Sequence, residues 1–448
     1  MQNINDKSDT IVAVATPPGK GGIAVVKISG PDSVTIAKHF FRGSKDPSEH
    51  NRVMVYGHIV DDGEPIDEVL FCVMKAPNSY TGETVVEIQC HGGYAAASTI
   101  LELVVNRGAR IAEPGEFTKR AFLNGRIDLA QAESVMEIVS AEGKAYLTQA
   151  EKLMDGVFSR HIEHLLEDIT KSDSLLELNI DFLHQGIEAI KKDELVQSIE
   201  STIKTLNSMI ASYTVSQRIK DGLRAVLAGK TNVGKSSLFN ALLGMKRAIV
   251  NSSPGTTRDW IEGKIELEGI TITLIDTAGL RETDNDIEHE GVKETERLLS
   301  NADLIIYLKE ACSTKVDDSN PFESNKTVIS VLSKSDLLVQ KPDLDGIIPV
   351  SSKTGEGINE LLQSLKEKSF SLLISSNNNS LVIVNRHRNE LKKAKKALKR
   401  ALQSIDIWSE EVTAFELTEA KNHLEAILGR SIDSDVLDEI FKNFCIGK

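Results

Sequence analysis

The sequence predicts a multidomain fold, α/β plus all-α, with an N-terminal α+β domain, a discontinuous helical domain and a second α/β domain inserted into the helical one. Three observations carry this. Short β-rich runs alternate with turn residues from Thr10 to about Ala112. Apolar residues then recur at three- and four-residue spacing from about Phe117 to Arg218, with few Gly and no Pro. Between Asp221 and about Ser369 β-branched runs alternate with helical segments, and helical periodicity resumes beyond the polar stretch SSNNNS at 375–380.

The elements follow in order. IVAVATPPGKGGIAVVKISG, VLFCVMKAP and TVVEIQCHGG read as strands with intervening turns, and AYLTQAEKLMDGVFSRHIEHLLEDI reads as long helix. The two helical stretches flank the second α/β region. An insertion is the economical arrangement, because a compact unit whose own termini lie close together can interrupt another. The expected domains are 1–116, 117–218 together with 377–448, and 219–376. With 448 residues and 40% hydrophobic content, the chain exceeds one core of ordinary size.

A formal net charge of -14 excludes a general affinity for polyanions, so a nucleic-acid partner needs a local basic patch. Cys72, Cys90, Cys312 and Cys445 are far apart, with neither a CxxC pair nor His at zinc-ligand spacing, so neither a disulfide framework nor a structural metal site is suggested and a reducing compartment fits best. The opening MQNINDKSDT lacks a basic segment followed by an apolar one, and no apolar run is long enough to span a bilayer. A cytoplasmic protein with no membrane partner is expected.

The run LRAVLAGKTNVGKSSLFNALL is a strand, a G-x-x-x-x-G-K-S loop from Gly229 to Ser236, and an amphipathic helix. That is the context a phosphate-binding loop requires. Backbone N–H groups from Gly229 through Asn232, Val233, Gly234, Ser236 and Ser237 can close on phosphate oxygens at a helix N-terminus. Lys235 supplies a point charge, and the Ser236 hydroxyl can ligate magnesium. Downstream, ITITLIDTAG is a strand ending in Asp276, Thr277, Ala278 and Gly279, which offers a carboxylate to the magnesium shell and a glycine N–H to the γ phosphate. TVISVLSKSD ends another strand with Ser333, Lys334, Ser335 and Asp336, where Asn-Lys-x-Asp is usual. Asp336 can accept from two N–H donors on one edge of guanine, and IIPVSSK brings Ser351, Ser352 and Lys353. Together these resemble a Ras-like P-loop GTPase domain. Ser333 in place of Asn leads to an expectation of micromolar or weaker GTP affinity.

Leu280 stands where a water-orienting Gln is common, and it has no hydrogen-bonding group. The segment RETDNDIEHEG offers Glu282, Asp284, Asp286 and Glu288 instead, and spacing alone does not choose among them. Asn232 in the loop and the oxygens of SSPGTTRD at 252–259 can hold a monovalent cation against the phosphates.

The blocks ATPPGKGGIAVVKISG, TGETVVEIQCHGG, PGEFTKRAFLNGRIDLAQAESV, GKTNVGKSS, PGTTRD, DTAGLRE and the terminal CIGK span the chain in the order found in one family. By these blocks it resembles the tRNA-modifying GTPases of the MnmE or TrmE family. The resemblance implies a folate-binding, dimerising N-terminal domain, a discontinuous helical domain and an inserted GTPase domain activated by potassium. It implies potassium ligands at Asn232, Asn251, Ser253 and Thr256, magnesium ligands at Ser236 and Thr257, and a water-positioning Glu288. Asn251 stands where Thr is common, so only its backbone contribution carries over. Thr256 and Thr257 also join the GTP contacts.

The same resemblance implies 5-formyltetrahydrofolate or a related reduced folate held by Lys27, Glu87, Arg126 and Lys448, with Lys27 where Arg is usual; without the family, each reads as a solvated surface charge. Partners implied are a second copy of the chain, the flavoprotein MnmG (GidA) and tRNA, whose wobble uridine receives an aminomethyl or carboxymethylaminomethyl group at C5. Nothing in the chain resembles a dinucleotide-binding fingerprint, so flavin chemistry must come from the partner.

Cys445 is then a candidate nucleophile. A thiolate can add to pyrimidine C6 and make C5 nucleophilic, and neighbouring Lys448 favours the thiolate. Two other readings stand beside it: a structural tail, and a C-a-a-X lipidation box for which terminal Lys is a poor match. The basic segment VNRHRNELKKAKKALKR at 384–400 reads either as a tRNA-facing helix or as an ordinary solvated helix face. The rival for the whole chain is a switch without chemistry of its own, such as an Era-type GTPase in ribosome assembly. That rival leaves PGEFTKRAFLN and CIGK unexplained.

Overall fold

The computed structural model describes residues 9–182, 191–245, 261–277, 296–310, 322, 326–338, 346–374, 383–406 and 410–448. The chain divides into two compact units, one of residues 1–136, 154–177 and 414–448, the other of 137–153 and 178–413.

The first unit is built on a seven-stranded sheet of β1 (Ile11–Val14), β2 (Ile23–Ser29), β3 (Phe41–Gly43), β4 (Met54–Asp61), β5 (Glu64–Met74), β6 (Val85–His91) and β7 (Arg110–Ile111). Their order is β3-β4-β5-β6-β2-β1-β7, antiparallel throughout except for the β1–β7 pair. Alternation explains its two faces. Val26, Ile28, Phe71, Val73, Val86 and Ile88 point to one side and bury against Ile36, Ala37, Ile100 and Val104 of the helices Ser33–Phe40 and Tyr94–Asn106. On the other side the register aligns Met54, Cys72, Glu87 and Lys27 in one row and Tyr56, Leu70, Gln89 and Val25 in the next. That second face is covered only near β1, where Ile11 and Ala13 pack on Phe117 of the helix Glu116–Leu123. Strands β3, β4 and β7 were not among the runs that the sequence marked. Two are very short, and β4 begins on exposed residues.

Beneath the β1 end lies an ionic network. Arg120 reaches Asp9 at 2.6 Å, Glu116 at 3.0 Å and Glu83 at 3.2 Å, and Arg110 joins Asp9 and Glu116. Burial pushes the Glu116 carboxyl up, but the hydrogen bonds from Arg110, the Glu113 amide and Arg120 outweigh it and hold the group below the ordinary carboxylate range. Next to this network, Ala121, Leu129, Ala132, Leu437, Phe441 and Phe444 form a small helical core. It joins the segment after Gly115 to the last helix, Ser434–Lys442. The long helical run expected from 145 to 169 is broken at Gly156, whose φ of 73° ends one helix, Lys144–Met154, before Val157–Phe182 begins.

The second unit holds a six-stranded sheet of β8 (Leu223–Gly229), β9 (Ile261–Leu267), β10 (Ile270–Asp276), β11 (Leu304–Glu310), β12 (Thr327–Ser333) and β13 (Ile347–Val350), ordered β13-β12-β11-β8-β10-β9. Every neighbour is parallel except the β9–β10 hairpin. β10 is buried at every residue, as a central strand covered on both faces must be. The helices Lys235–Met245 and Ile358–Ile374 pack on the sheet, and Lys192–Asp221 packs along Asn385–Asp406. Among the described residues no helix is long and apolar enough to cross a membrane.

Candidate nucleotide site and N-terminal cationic cluster

β8 lies between β10 and β11, so its apolar run is buried and its C-terminal end opens onto the loop that follows. Gly229 leaves the strand with φ of 148°, and a Cβ there would meet the Leu308 carbonyl at 2.5 Å. Only glycine fits. Asn232 and Gly234 also take positive φ, 60° and 102°, which curls the loop into the helix starting at Lys235. Val233 is buried and anchors the loop, whereas Asn232, Ser236 and Ser237 are exposed at its crest and in the first helical turn. This is a helix N-terminus with its amides presented outward, the arrangement that receives phosphate.

Lys235 is folded back over the loop. Its Nζ donates to the carbonyls of Gly229 and Lys230, both at 3.0 Å, and the residue is only 7% exposed. Burial pushes its pKa down, with the charge of Asp276 opposing that shift. Asp276 is fully buried at the end of β10, in register with Leu227, and Thr277 donates its hydroxyl proton to the Leu227 carbonyl at 2.9 Å. The Ser236 hydroxyl in the first helical turn and the buried Asp276 carboxylate at the end of β10 are hard-oxygen groups, the class of ligand that magnesium takes. Ala278, Gly279, Asn251, Ser253, Thr256, Thr257 and Glu288 lie outside the described residues.

At the far side of the loop, the residue that departs from the usual motif has a definite partner. Ser333 is buried, and its hydroxyl donates to the Val233 carbonyl of the phosphate loop at 2.6 Å, with the Lys309 carbonyl at 3.1 Å. Sequence reasoning considered Ser333 only for the base contact it lacks; its bond to the loop depends on a strand 100 residues away and has no local signature. Lys334 takes a left-handed φ of 59° and pairs with Glu310 at 2.5 Å. Asp336 is exposed, and one of its oxygens accepts from the buried Ser351 hydroxyl at 2.7 Å. Ser351 in turn accepts from the Thr354 amide, so the loop at 351–354 aims the carboxylate. Ser352 and Lys353 follow at the surface of the same loop.

The other expected site residues converge in the first unit. Lys27 and Glu87 are cross-strand partners on β2 and β6. Lys27 Nζ lies 5.2 Å from the centre of the Tyr80 ring and 5.4 Å from that of Phe117. The Arg126 guanidinium sits 5.3 Å from the same Tyr80 ring and donates to the Tyr80 carbonyl at 2.5 Å. Tyr80 itself is fixed by a 2.8 Å hydrogen bond with Thr118. Burial lowers the pKa of Lys27, Glu87 opposes the shift, and the nearby charge of Lys448 adds to it.

Lys448 arrives there because the tail is pinned. Phe444 is buried in the helical core, the Gly115 amide donates to the Cys445 carbonyl at 3.4 Å, and a Cβ on Gly447 would lie 2.8 Å from Ala15 Cα. Cys445 is left exposed on this seated turn. Tyr80, Phe117 and Thr118 are site residues that sequence reasoning missed. Phe117 and Thr118 occur inside the block PGEFTKRAFLN and Tyr80 directly precedes TGETVVEIQCHGG, but aromatic and hydroxyl side chains in a turn and a helix read there as ordinary packing.

Comparison with known proteins bears on both sites together. Residues 10–126 match the family described as GTP-binding protein TrmE N-terminus, and residues 129–445 match the MnmE helical domain. The chain belongs to the MnmE family of tRNA modification GTPases. The tRNA modification GTPase MnmE of Carboxydothermus hydrogenoformans is 40% identical over 98% of this chain and 99% of its own, and that of Clostridioides difficile is 40% identical over the same shares. Among solved structures, the G domain of the T. maritima FeoB iron transporter is 31% identical over 34% of this chain and 98% of its own, with a TM-score of 0.24. As an MnmE family member, the chain is a GTPase that binds GTP and acts in tRNA modification.

Proposed function

We propose that this protein, with the flavoprotein MnmG, installs an aminomethyl or carboxymethylaminomethyl group at C5 of the wobble uridine of certain tRNAs, and that potassium-stimulated GTP hydrolysis drives the cycle. The observation that carries this reading is the convergence of Lys27 and Arg126 on the Tyr80 ring, with Phe117 beside Lys27 and the pinned tail bringing the charge of Lys448 near Lys27 and leaving Cys445 exposed. Flat apolar surface next to several cations suits a bicyclic ring carrying a carboxylate tail, so the cluster fits a reduced folate such as 5-formyltetrahydrofolate. When bound, that folate supplies the one-carbon unit. Lys27, Arg126 and Lys448 hold its anionic groups, Glu87 accepts from its ring N–H groups, and the Cys445 thiolate adds to uridine C6 so that C5 becomes nucleophilic.

At the other site, Lys235 neutralises phosphate charge while Ser236 and Thr257 hold magnesium. Asn232, with Asn251, Ser253 and Thr256, holds potassium, and Glu288 positions water. The open face of the first sheet, where Met54, Tyr56 and Leu70 are 43%, 57% and 38% exposed, supports assembly as a homodimer. The reading places the protein in the cytoplasm. It is tested by comparing wobble nucleosides by mass spectrometry in tRNA from cells lacking the protein and from cells carrying Cys445→Ser. Loss of the C5 group in both is expected; its survival in the Cys445→Ser cells would leave the tail a structural role, and its survival in both would overturn the reading.

A further inference from the structure

We infer that the cationic row along the helix Asn385–Asp406 is the surface on which the phosphate backbone of tRNA docks. The inference rests on the tRNA reading above and adds where the RNA lies. Between 386 and 400 the helix carries Arg386, Arg388, Lys392, Lys393, Lys395, Lys396, Lys399 and Arg400 against a single carboxylate, Glu390, in a chain whose net charge is -14. Its opposite face is fully used. His387, Leu391, Ala394, Ala397, Leu398 and Ala401 are all 0% exposed, and the helix packs along Lys192–Asp221. A helix anchored this way presents its remaining side chains in a fixed direction.

Arg388, Lys392, Lys395 and Lys399 follow one another at spacings of four, three and four residues, so they share one stripe about 16 Å long. Lys392 and Lys399 are exposed, and Lys395 and Arg388 are half-buried. Other surface lysines are neutralised locally, as in Lys119–Asp438, Lys264–Glu142 and Lys366–Glu268. Lys392, Lys395 and Lys399 have no carboxylate at ion-pair distance among the described residues, so their charge is available to a partner. At the start of the stripe Arg388 stacks on Tyr213 at 4.7 Å and lines a cavity of about 570 Å³ together with Arg218 and Arg224. That recess is of mixed charge, since Asp221, Glu262 and Asp303 line it beside the arginines, so the cationic surface is the row itself. An anionic rod that the rest of an acidic protein repels is steered to such a row, and its counterions are released on contact.

The test uses full-length protein and an unmodified tRNA transcript with uridine at the wobble position, with affinity measured by fluorescence anisotropy across a salt series. One variant carries Lys392→Gln, Lys395→Gln and Lys399→Gln. A control of equal net charge carries Lys152→Gln, Lys171→Gln and Lys204→Gln at scattered exposed positions. The row variant is expected to bind tRNA on the order of ten- to a hundred-fold more weakly at low salt, and its log–log salt slope is expected to fall by about 2 to 3, with GTP hydrolysis retained. Equal losses in both variants, an unchanged slope, a parallel loss of GTP hydrolysis, or a defect confined to binding the flavoprotein would each overturn the inference. If the unaltered protein binds no tRNA at any salt, the tRNA reading itself fails and the docking surface with it; retained binding in the row variant sinks the docking surface alone.

Discussion

The nucleotide site and the N-terminal cluster are built by opposite means. The first is mostly backbone: Gly229, Asn232 and Gly234 bend six successive residues into a cradle, and Lys235 completes it from the next position. The second is all side chain, assembled from residues 27, 80, 87, 117, 126 and 448 on separate strands, helices and the tail. A backbone cradle tolerates exchange of its exposed side chains as long as the φ angles can be met, whereas a side-chain cluster has no such reserve. The contrast also sets the electrostatics. Burial pushes both Lys235 and Lys27 down and one carboxylate opposes the shift in each case, Asp276 and Glu87, but only Lys27 also has a like-charged neighbour, Lys448.

The sharpest probe of the backbone side of this contrast is Asn232→Gly, which meets the φ of 60° and so leaves the loop's amides in place while removing one exposed carboxamide. GTP hydrolysis in potassium should drop by about 100-fold, to the rate seen in sodium. Equal rates of the unaltered protein in the two salts would break the potassium reading and leave the backbone as the whole site.

For the cluster, Lys27→Met should weaken reduced-folate binding about tenfold by calorimetry, since one cation next to the ligand is lost. The same variant should melt at a slightly higher temperature when empty. Burial lowers the pKa of Lys27, so the folded protein holds this proton less tightly than the unfolded chain does. Its charge therefore opposes folding in full below the folded pKa, and the opposition fades as pH rises through that value toward the ordinary 10.5. A variant that binds folate as tightly as the parent would show that the cluster is packing, not a site.

The smallest effect tests a side-chain contact that reaches the backbone cradle from another strand. Ser333→Ala removes the donor to the Val233 carbonyl, and it should cost about 1 kcal/mol, or about fivefold in GTP affinity read with a fluorescent analogue. Ser333→Cys, close in volume and with only a weak S–H donor, should lose most of the same affinity. No change in either variant would mean that the base-reading strand and the phosphate loop hold their positions independently.

Local chemistry was legible throughout. The strand–loop–helix of 223–245, the strand ending at Asp276, the strand ending at Ser333 and the tail block CIGK are each defined within one continuous run of sequence. β3, β4, β7 and β9 were not, because edge or half-exposed strands lack the apolar run that marks a buried one, and β11 went unmarked although LIIYLKE at 304–310 is such a run. The break at Gly156 shows the same limit in helices. Periodicity persists across 145–169, yet one glycine in the left-handed region ends the hydrogen-bond ladder.

By itself the sequence determined the class of chemistry, because phosphate binding and guanine choice are written in short runs whose spacing the backbone enforces. Only tertiary structure decided what surrounds Lys27, what Ser333 holds, and where the last four residues go. Each of those depends on contacts between residues far apart in the chain, such as Gly115 with Cys445 and Val233 with Ser333. Such contacts leave no periodic or compositional trace, since the free energy that brings the partners together comes from burying the core around them and not from the partners themselves.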